Sequence, residues 1–258
     1  MKIILLILST LLISLNSYSQ IWTHHIISSD KIYSKGFEIK NFGIDGRKEG
    51  KNVVFCKKLL GIISLSSGNL NIDLWEVPKC LKNISNAITD TTKLTVLRIV
   101  DTRPNYGTPS NVLWIPYQSV NIGLNTLPYR YRFSVNKNSQ KFDGVGTSNF
   151  NLALNVGYTF GWSAITSRVI NNYSLTLGIY GGPSTFDLKK NQYIDQTKYV
   201  SDQTNPTLTY GFNIIAARNG LGLVLAYGWE EMHSKNAGDW IYNGGAYFAF
   251  GVNTSFGK

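Results

Sequence analysis

Between Asn149 and Gly257 the sequence returns several times to an alternation of large apolar with small residues, and across Asn149–Pro183 and Ile241–Gly257 the two faces carry almost no charge. In Asn149–Trp162 the even positions are Phe150, Leu152, Leu154, Val156, Tyr158, Phe160 and Trp162, while the odd ones are Asn, Ala, Gly and Thr. Residues 219–229, NGLGLVLAYGW, set Leu221, Leu223, Leu225, Tyr227 and Trp229 against Gly222, Val224, Ala226 and Gly228. A period of two is the mark of a strand. Tyr173–Ile179, Leu208–Ala216 and Ala246–Phe256 repeat the pattern. Arg168 is the only charged residue in Asn149–Pro183, and Ile241–Gly257 has none. A soluble sheet or lipocalin-like barrel turns its large face inward and covers the outside with charge. Strands with two uncharged faces fit a ring whose large face meets lipid and whose small polar face fills a narrow lumen.

The connections agree with such a ring. Arg218-Asn219-Gly220 reads as a tight Asn-Gly hairpin turn, and Asn125-Thr126 as another, because the apolar parity switches there between VNIGL and LPYRYRF. Ser134–Ser148, Asp187–Pro206 and part of Glu230–Gly244 are long and polar, so short and long connections alternate. Tyr158, Trp162, Tyr173 and Phe256 fall toward the short-turn end, and Tyr210, Tyr227 and Trp229 toward the long-loop end, the pattern of two interfacial girdles.

The first half of the chain has a weaker period. Asn52–Leu65, Leu70–Val77 and Lys93–Val100 read as strands with mixed faces. Counted with Tyr117–Leu124, Leu127–Val135 and the five from Asn149 onward, they give ten. Eight is the rival count, with the early segments forming an extension or plug.

The fold expected is all-β: a closed antiparallel transmembrane β-barrel of 8–10 strands, with short periplasmic turns and longer external loops. Its expected division is a signal peptide over 1–19, an N-terminal extension or plug over 20–52, and the barrel over 53–256. The signal is read from Lys2, the apolar run Ile3–Leu15 and the small-residue spacing Ser17-x-Ser19. That run is shorter than the ~20 residues of a spanning helix. Export would permit Cys56 and Cys80, the only cysteines, to pair, and their spacing leaves both states open.

With these features assembled, the chain resembles the small outer-membrane β-barrels of Gram-negative bacteria, OmpA-type in architecture, with a signal ending in SYSQ that looks like those of Bacteroidota. The resemblance covers roughly Val53–Phe256. A final strand closing on an aromatic, here Phe248, Phe250, Val252 and Phe256, is similar to that family's assembly signal, although Thr254 interrupts it and Gly257-Lys258 follow it. The resemblance implies an outer-membrane location with the C-terminus periplasmic, and contact with lipid, lipopolysaccharide and the barrel assembly machinery. It brings no activity with it, because this architecture serves many functions.

No residue set here points to catalysis, a cofactor or a metal. His24-His25 would point to opposite faces of a strand, with no further ligand at metal spacing. Glu230, Glu231, His233 and Ser234 in WEEMHS are placed at an outer rim, without the spacing of a hydrolase motif. DGVGTS (Asp143–Ser148) lacks the ending of a phosphate loop and precedes a strand. The net charge of +10 suits anionic headgroups. Nucleic acid is an unfavoured partner for an exported chain.

Arg130 and Arg132 share a face opposite Tyr129, Tyr131 and Phe133, and Asp73 lies opposite Leu70, Ile72 and Leu74. If the aromatic and leucine faces meet lipid, all three charges enter the lumen as an ion-pair network. The function expected is structural or surface-binding, exerted through the external loops on an unnamed ligand. A small ion or solute channel, a lipid-modifying enzyme and a secreted lipocalin-like binder stand as alternatives.

Overall fold

The computed structural model describes residues 23–28, 32, 37–42, 51–52, 59–66, 69–74, 96–101, 112–149, 151–166 and 169–255. The expected signal peptide, Cys56, Cys80, Arg168 and Phe256 lie outside them. The described chain is all-β, with strands β1 (His24–Ile27), β2 (Phe37–Phe42), β3 (Lys51–Asn52), β4 (Leu59–Ser66), β5 (Asn69–Leu74), β6 (Val96–Asp101), β7 (Leu113–Arg132), β8 (Val135–Lys137), β9 (Gln140–Phe142), β10 (Val145–Ser148), β11 (Leu152–Ile165), β12 (Ile170–Leu188), β13 (Gln203–Arg218), β14 (Leu221–Met232) and β15 (Gly245–Ser255). It divides into two units. One comprises Val120–Thr159 and Ser174–Lys258, the other Trp22–Ser119 and Phe160–Tyr173.

In the first unit β11, β12, β13, β14, β15 and β7 pair in that order, and β11 pairs again with β7, so six strands form a ring. β10 extends the β11 side by pairing with β7 from Arg132 to Tyr129. The alternation of the sequence is resolved with the large residues outward. Leu221, Leu223 and Leu225 are 57–64% exposed, while Val224, Ala226, Asn213 and Asn253 on the opposite face are 0–3% exposed. Tyr129, Tyr131, Leu154, Val156, Leu177, Ile179, Phe212, Phe248 and Phe250 are likewise exposed.

Asn219 (φ 52°) and Gly220 (φ 87°) both adopt positive φ between the paired ends Arg218 and Leu221. That is the type I′ geometry an Asn-Gly hairpin supplies. The expected hairpin at Asn125-Thr126 does not form, because β7 runs through it as one strand of 20 residues. Against β15, Val252 faces Thr126 and Phe250 faces Tyr129, so β7 holds one extra residue there. A bulge switches the inward parity as a two-residue turn would, here from Asn125 and Leu127 to Arg130 and Arg132. Pro128 sits in this bulge, where a residue that cannot donate to the ladder is tolerated. Gly251 lies opposite it, and a Cβ there would stand 1.9 Å from the Thr126 carbonyl oxygen.

Fusion of those two expected strands, and the placement of the three early ones elsewhere, reduces the expected eight to ten strands to a ring of six. Its interior is filled. Tyr180 and Tyr247 meet hydroxyl to hydroxyl at 2.8 Å. Room for them comes from Gly228, since a Cβ there would lie 2.2 Å from the Tyr180 hydroxyl, while a Cβ on its register partner Gly211 would stand 2.2 Å from the Tyr227 carbonyl oxygen. Nearer the Asn219-Gly220 turn, amides form a continuous chain. Asn213 Nδ2 donates to Asn155 Oδ1 (2.5 Å), Asn155 to Asn121 (3.1 Å), Asn121 to Ser255 Oγ (2.7 Å), Ser255 to Asn253 (3.2 Å), and Asn253 to Asn125 (2.8 Å).

In the second unit β1, β4, β5, β6, β2 and β3 neighbour one another in that order, and His24 and His25 of β1 pair with Gln118 and Tyr117 of β7. Here the apolar residues point inward. Ile27, Phe37, Ile63, Leu70, Ile72, Ile99, Leu113, Ile115 and Ile165 form one buried cluster. The three early strands are therefore strands, as their composition suggested, but they hide their aliphatic face as a soluble sheet does.

The glycine seam of the ring yields a direct expectation. Gly228→Leu drives a side chain into the Tyr180–Tyr247 contact and lowers stability by about 3 kcal/mol or more, at the upper end of overpacking costs. The thermal midpoint in detergent, against Ala226→Gly as a control on the same face, measures it.

Candidate functional site

The charged centre of the first unit lies at the long-loop end of the ring and is built by adjacent inward positions. After the bulge, β7 presents Arg130 and Arg132 inward. On β14 the small inward series Gly222, Val224, Ala226, Gly228 ends in Glu230, and β13 adds Thr207. Arg130, Arg132 and Glu230 are each 0–1% exposed. Arg130 Nη1 donates to Glu230 Oε1 at 2.6 Å, and Arg132 Nε donates to Glu230 Oε2 at 3.0 Å, joined by Arg132 Nη2 on the same oxygen. Thr207 Oγ1 donates to Glu230 Oε1 at 2.8 Å, Arg132 Nη1 donates to Thr147 Oγ1, and Arg130 Nη2 reaches the Thr185 carbonyl at 3.3 Å.

Two guanidiniums face one carboxylate, so the cluster keeps a net positive charge. Ring faces take up part of it: Arg132 Cζ stands 4.3 Å from the Phe186 centroid and 5.5 Å from Trp240, and Arg130 Cζ 5.9 Å from Tyr247.

The carboxylate in this cluster is Glu230, which the sequence reading placed at an exposed rim. Asp73, expected there, is exposed on β5 in the other unit. The two assignments are corrected for different reasons. In β5 the aliphatic face is the buried one, Leu70 and Ile72 each being 4% exposed, so its polar face turns to the outside. In β14 the small face is buried and Glu230 continues it. Simple extension of the β14 alternation by two residues would have found Glu230. WEEMHS does not converge: Glu230 points in, the Tyr210 hydroxyl donates to Glu231 on the outer wall at 2.7 Å, His233 is exposed, and Ser234 Oγ donates to Asn205.

Above the charges the long connections fold onto one another. Phe186, Leu188, Tyr193, Met232, Trp240, Ile241 and Tyr242 form a buried cluster, with Trp240 fully buried and 4.6 Å from the Phe186 ring centroid. Ile194 N donates to the Asp239 carbonyl, Ile241 N to that of Gln192, and Gly244 N to that of Glu230. Ser134–Ser148, expected as a long polar loop, contains the β8–β9 hairpin, whose Lys137 Nζ donates to the Trp240 and Asn243 carbonyls. Partial burial there pushes the Lys137 ammonium below its ordinary pKa. On the outer side of the cap, the Asp195 carboxyl is held low by bonds from the Thr197 hydroxyl and amide. Lys198 is raised by its bond to Asp239.

In the second unit, among the described residues, His25 Nε2 stands 2.9 Å from Ser163 Oγ, a contact that could be taken for a catalytic pair. Both side chains are held by further hydrogen bonds. Ser163 Oγ gives its proton to Asn172 Oδ1 (2.7 Å), and the Ile63 amide donates to His25 Nδ1 (3.3 Å). The His25 ring also bonds the Gly61 backbone, so its two nitrogens are taken up by Gly61, Ile63 and Ser163. Burial holds this imidazole down to about 4, below its ordinary 6.5. Among the described residues no group of three His, Cys, Asp or Glu side chains could hold a metal ion.

No protein-family model matches this sequence, no curated protein matches it, and no solved structure matches the fold.

Two outcomes are expected. Glu230→Gln leaves two buried guanidiniums without an anion and costs about 3–5 kcal/mol, whereas Thr207→Ala costs about 1 kcal/mol. The triple replacement Arg130→Met, Arg132→Leu, Glu230→Leu recovers most of that loss, all read as unfolding midpoints in detergent. For His25, the unfolded imidazole binds its proton near 6.5 and the folded one only near 4. Stability of this unit is therefore full above pH 6.5 and falls as pH drops toward 4. Hydrogen exchange at the Ile63 amide, corrected for intrinsic rate, accelerates over that window, and His25→Gln removes the acceleration.

Proposed function

We propose that this protein is an outer-membrane β-barrel with a sealed interior, acting as a structural and surface-binding element through the cap formed by its long connections. The observation that carries this reading is the inverted burial of the six-strand ring, with Leu, Ile, Val, Phe and Tyr outside and Asn, Thr, Arg and Glu inside. In water such a wall would be an exposed apolar surface far larger than soluble monomers carry. In a bilayer it is the required face, and a closed ladder is the only way for strands to satisfy their backbone groups there. The outward run Leu221–Trp229 extends about 26 Å along β14, or about 20 Å in height at a tilt of roughly 40°, near the ~25 Å apolar band of such barrels.

Export through the segment Ile3–Leu15 and a periplasmic C-terminus belong to the same proposal. So do lipid and lipopolysaccharide as neighbours of the wall, and the barrel assembly machinery as the route of insertion. The OmpA-type likeness enters here only as a shared plan of construction. A filled lumen favours this reading over the channel: amide chain, tyrosine pair and charge cluster succeed one another along the interior, and the cap lies beyond them. The non-convergence of Glu231, His233 and Ser234 favours it over the lipid-modifying enzyme.

The test is fractionation followed by electrophoresis. Protein from the outer-membrane fraction, extracted in detergent, is expected to migrate faster unboiled than boiled, and to give no steady conductance in planar bilayers. Recovery in the soluble fraction with no mobility difference would overturn the membrane reading and favour the secreted binder. Steady conductance that depends on Arg130 and Arg132 would favour the channel.

A further inference from the structure

Among the described residues five polar side-chain atoms are buried without a partner in the chain, and two of them are the open ends of the amide chain inside the ring. From Asn213 each member donates to the next, through Asn155, Asn121, Ser255 and Asn253, as far as Asn125 Oδ1. One donor, Asn125 Nδ2, and one acceptor, Asn213 Oδ1, are left over. Asn125 is 0% exposed and Asn213 3%.

The ring brings these two ends to opposite walls at one level. β7 and β13 are three strands apart by either route around the six. Along the register through β14 and β15, Asn213 leads to Ala226, Ala249 and then Arg130. Along the amide bonds through β11 it leads to Asn155 and then Asn121. Strands of a closed ring are tilted and their register is staggered, so the two routes meet β7 at different heights, and the residue that faces the start lies near their midpoint. Asn125 stands beside the midpoint of Asn121 and Arg130.

The space between the ends has the size of one small molecule. A six-strand ring with strands about 4.8 Å apart and tilted by about 40° is roughly 12 Å across. Two asparagine side chains reaching in from opposite walls take up about half of that and leave about 5–6 Å, the span of two hydrogen bonds that meet on one oxygen. Gly178 keeps the level open, since a Cβ there would come within 2.8 Å of Asn213 Oδ1 and 2.9 Å of Asn155 Oδ1.

We propose that the lumen binds a single water molecule at this level, which accepts from Asn125 Nδ2, donates to Asn213 Oδ1 and so closes the amide chain into a ring. The chemistry of the ligand follows from the two ends. A cation would face the N–H, an anion would face the carbonyl oxygen, and an apolar guest would leave both unbonded. Water serves both at once, and these partners meet the roughly two to four hydrogen bonds that hold a buried water. The site needs only the closed ring, so it does not depend on whether the wall meets lipid.

The experiment uses the full chain, folded in detergent. Magnetic relaxation dispersion of the water oxygen counts the waters whose residence outlasts tumbling of the protein. Asn125→Leu removes the open donor while Asn253 Nδ2 keeps its bond to the Leu124 carbonyl, and it is expected to lower that count by one. Asn213→Leu removes the open acceptor, is expected to lower the count by the same one, and serves where the first variant does not fold. The double variant is also expected to lose one water, because the two ends share it. In a crystal structure of the wild-type chain that resolves ordered solvent, one water is expected within hydrogen-bond reach of both Asn125 Nδ2 and Asn213 Oδ1.

A count that a folded single variant leaves unchanged, or a double variant that loses two waters, overturns the proposal. So does a wild-type crystal structure in which the two atoms bond to separate waters or to other groups of the chain, or in which the shared peak carries the anomalous signal of an ion.

Discussion

The narrowness of a six-strand ring is the constraint on which the rest of the first unit depends. Eight strands leave an interior just wide enough for side chains to fill, and six leave less. Inward side chains must then be small or interlock, as Leu127, Ile215 and Val224 do, and most polar ones bond across the ring, although Asn125 Nδ2, Arg130 Nε, Asn151 Oδ1 and Asn213 Oδ1 have no partner in the chain. The sequence meets this in levels. Gly228 leaves the space in which Tyr180 and Tyr247 meet, and polar side chains from β13, β11, β7 and β15 link end to end. The outward face is under no such constraint of size, and there the large residues collect.

A filled interior shifts attention to the surfaces that remain. In the proposed membrane setting these are the apolar wall and the cap, and they differ in kind. The wall is a repeat of Leu, Ile, Val and Phe with a local aromatic collar. The cap is a folded body of its own, in which residues from β12, the β12–β13 connection and the β14–β15 connection share one buried cluster. Connections expected as long polar loops therefore present a shaped surface, with less ordering left to be done when a partner binds.

How far the sequence was legible follows from where its periodicity stays in phase. From Leu152 to Ser255 each strand keeps one parity, and the outward and inward sets could be read directly. The switch at Asn125-Thr126 was also visible, but a bulge and a two-residue turn both change parity. Only the β15 register, with Val252 on Thr126 and Phe250 on Tyr129, separates the two. Pro128 was the available clue, since a proline inside a strand points to a bulge. Glu230 was missed because the strand was read as ending at Trp229, one residue short of its inward continuation, and Asp73 misled for a different reason. Alternation says which residues share a face and is silent on which face is buried, and the two units bury opposite ones. The cap was the least legible part, because Trp240 and Phe186 meet through long-range packing that leaves no local period.

The net positive charge of the Arg130, Arg132 and Glu230 cluster connects these features. One carboxylate cannot neutralise two guanidiniums, and a buried excess charge is tolerable only where something polarisable faces it. That role falls to the rings around it: Arg132 lies against Phe186 and Trp240, both in the cap cluster, and Arg130 against Tyr247 in the ring interior. The same guanidinium thus ties the carboxylate of β14 to the aromatic centre of the cap. Glu230 adds a second tie through its backbone, whose carbonyl accepts the Gly244 amide at 2.9 Å. The long connections are held from below by the charge they cover. Their order depends on the lumen being closed, and the lumen's charge is stable because they close it.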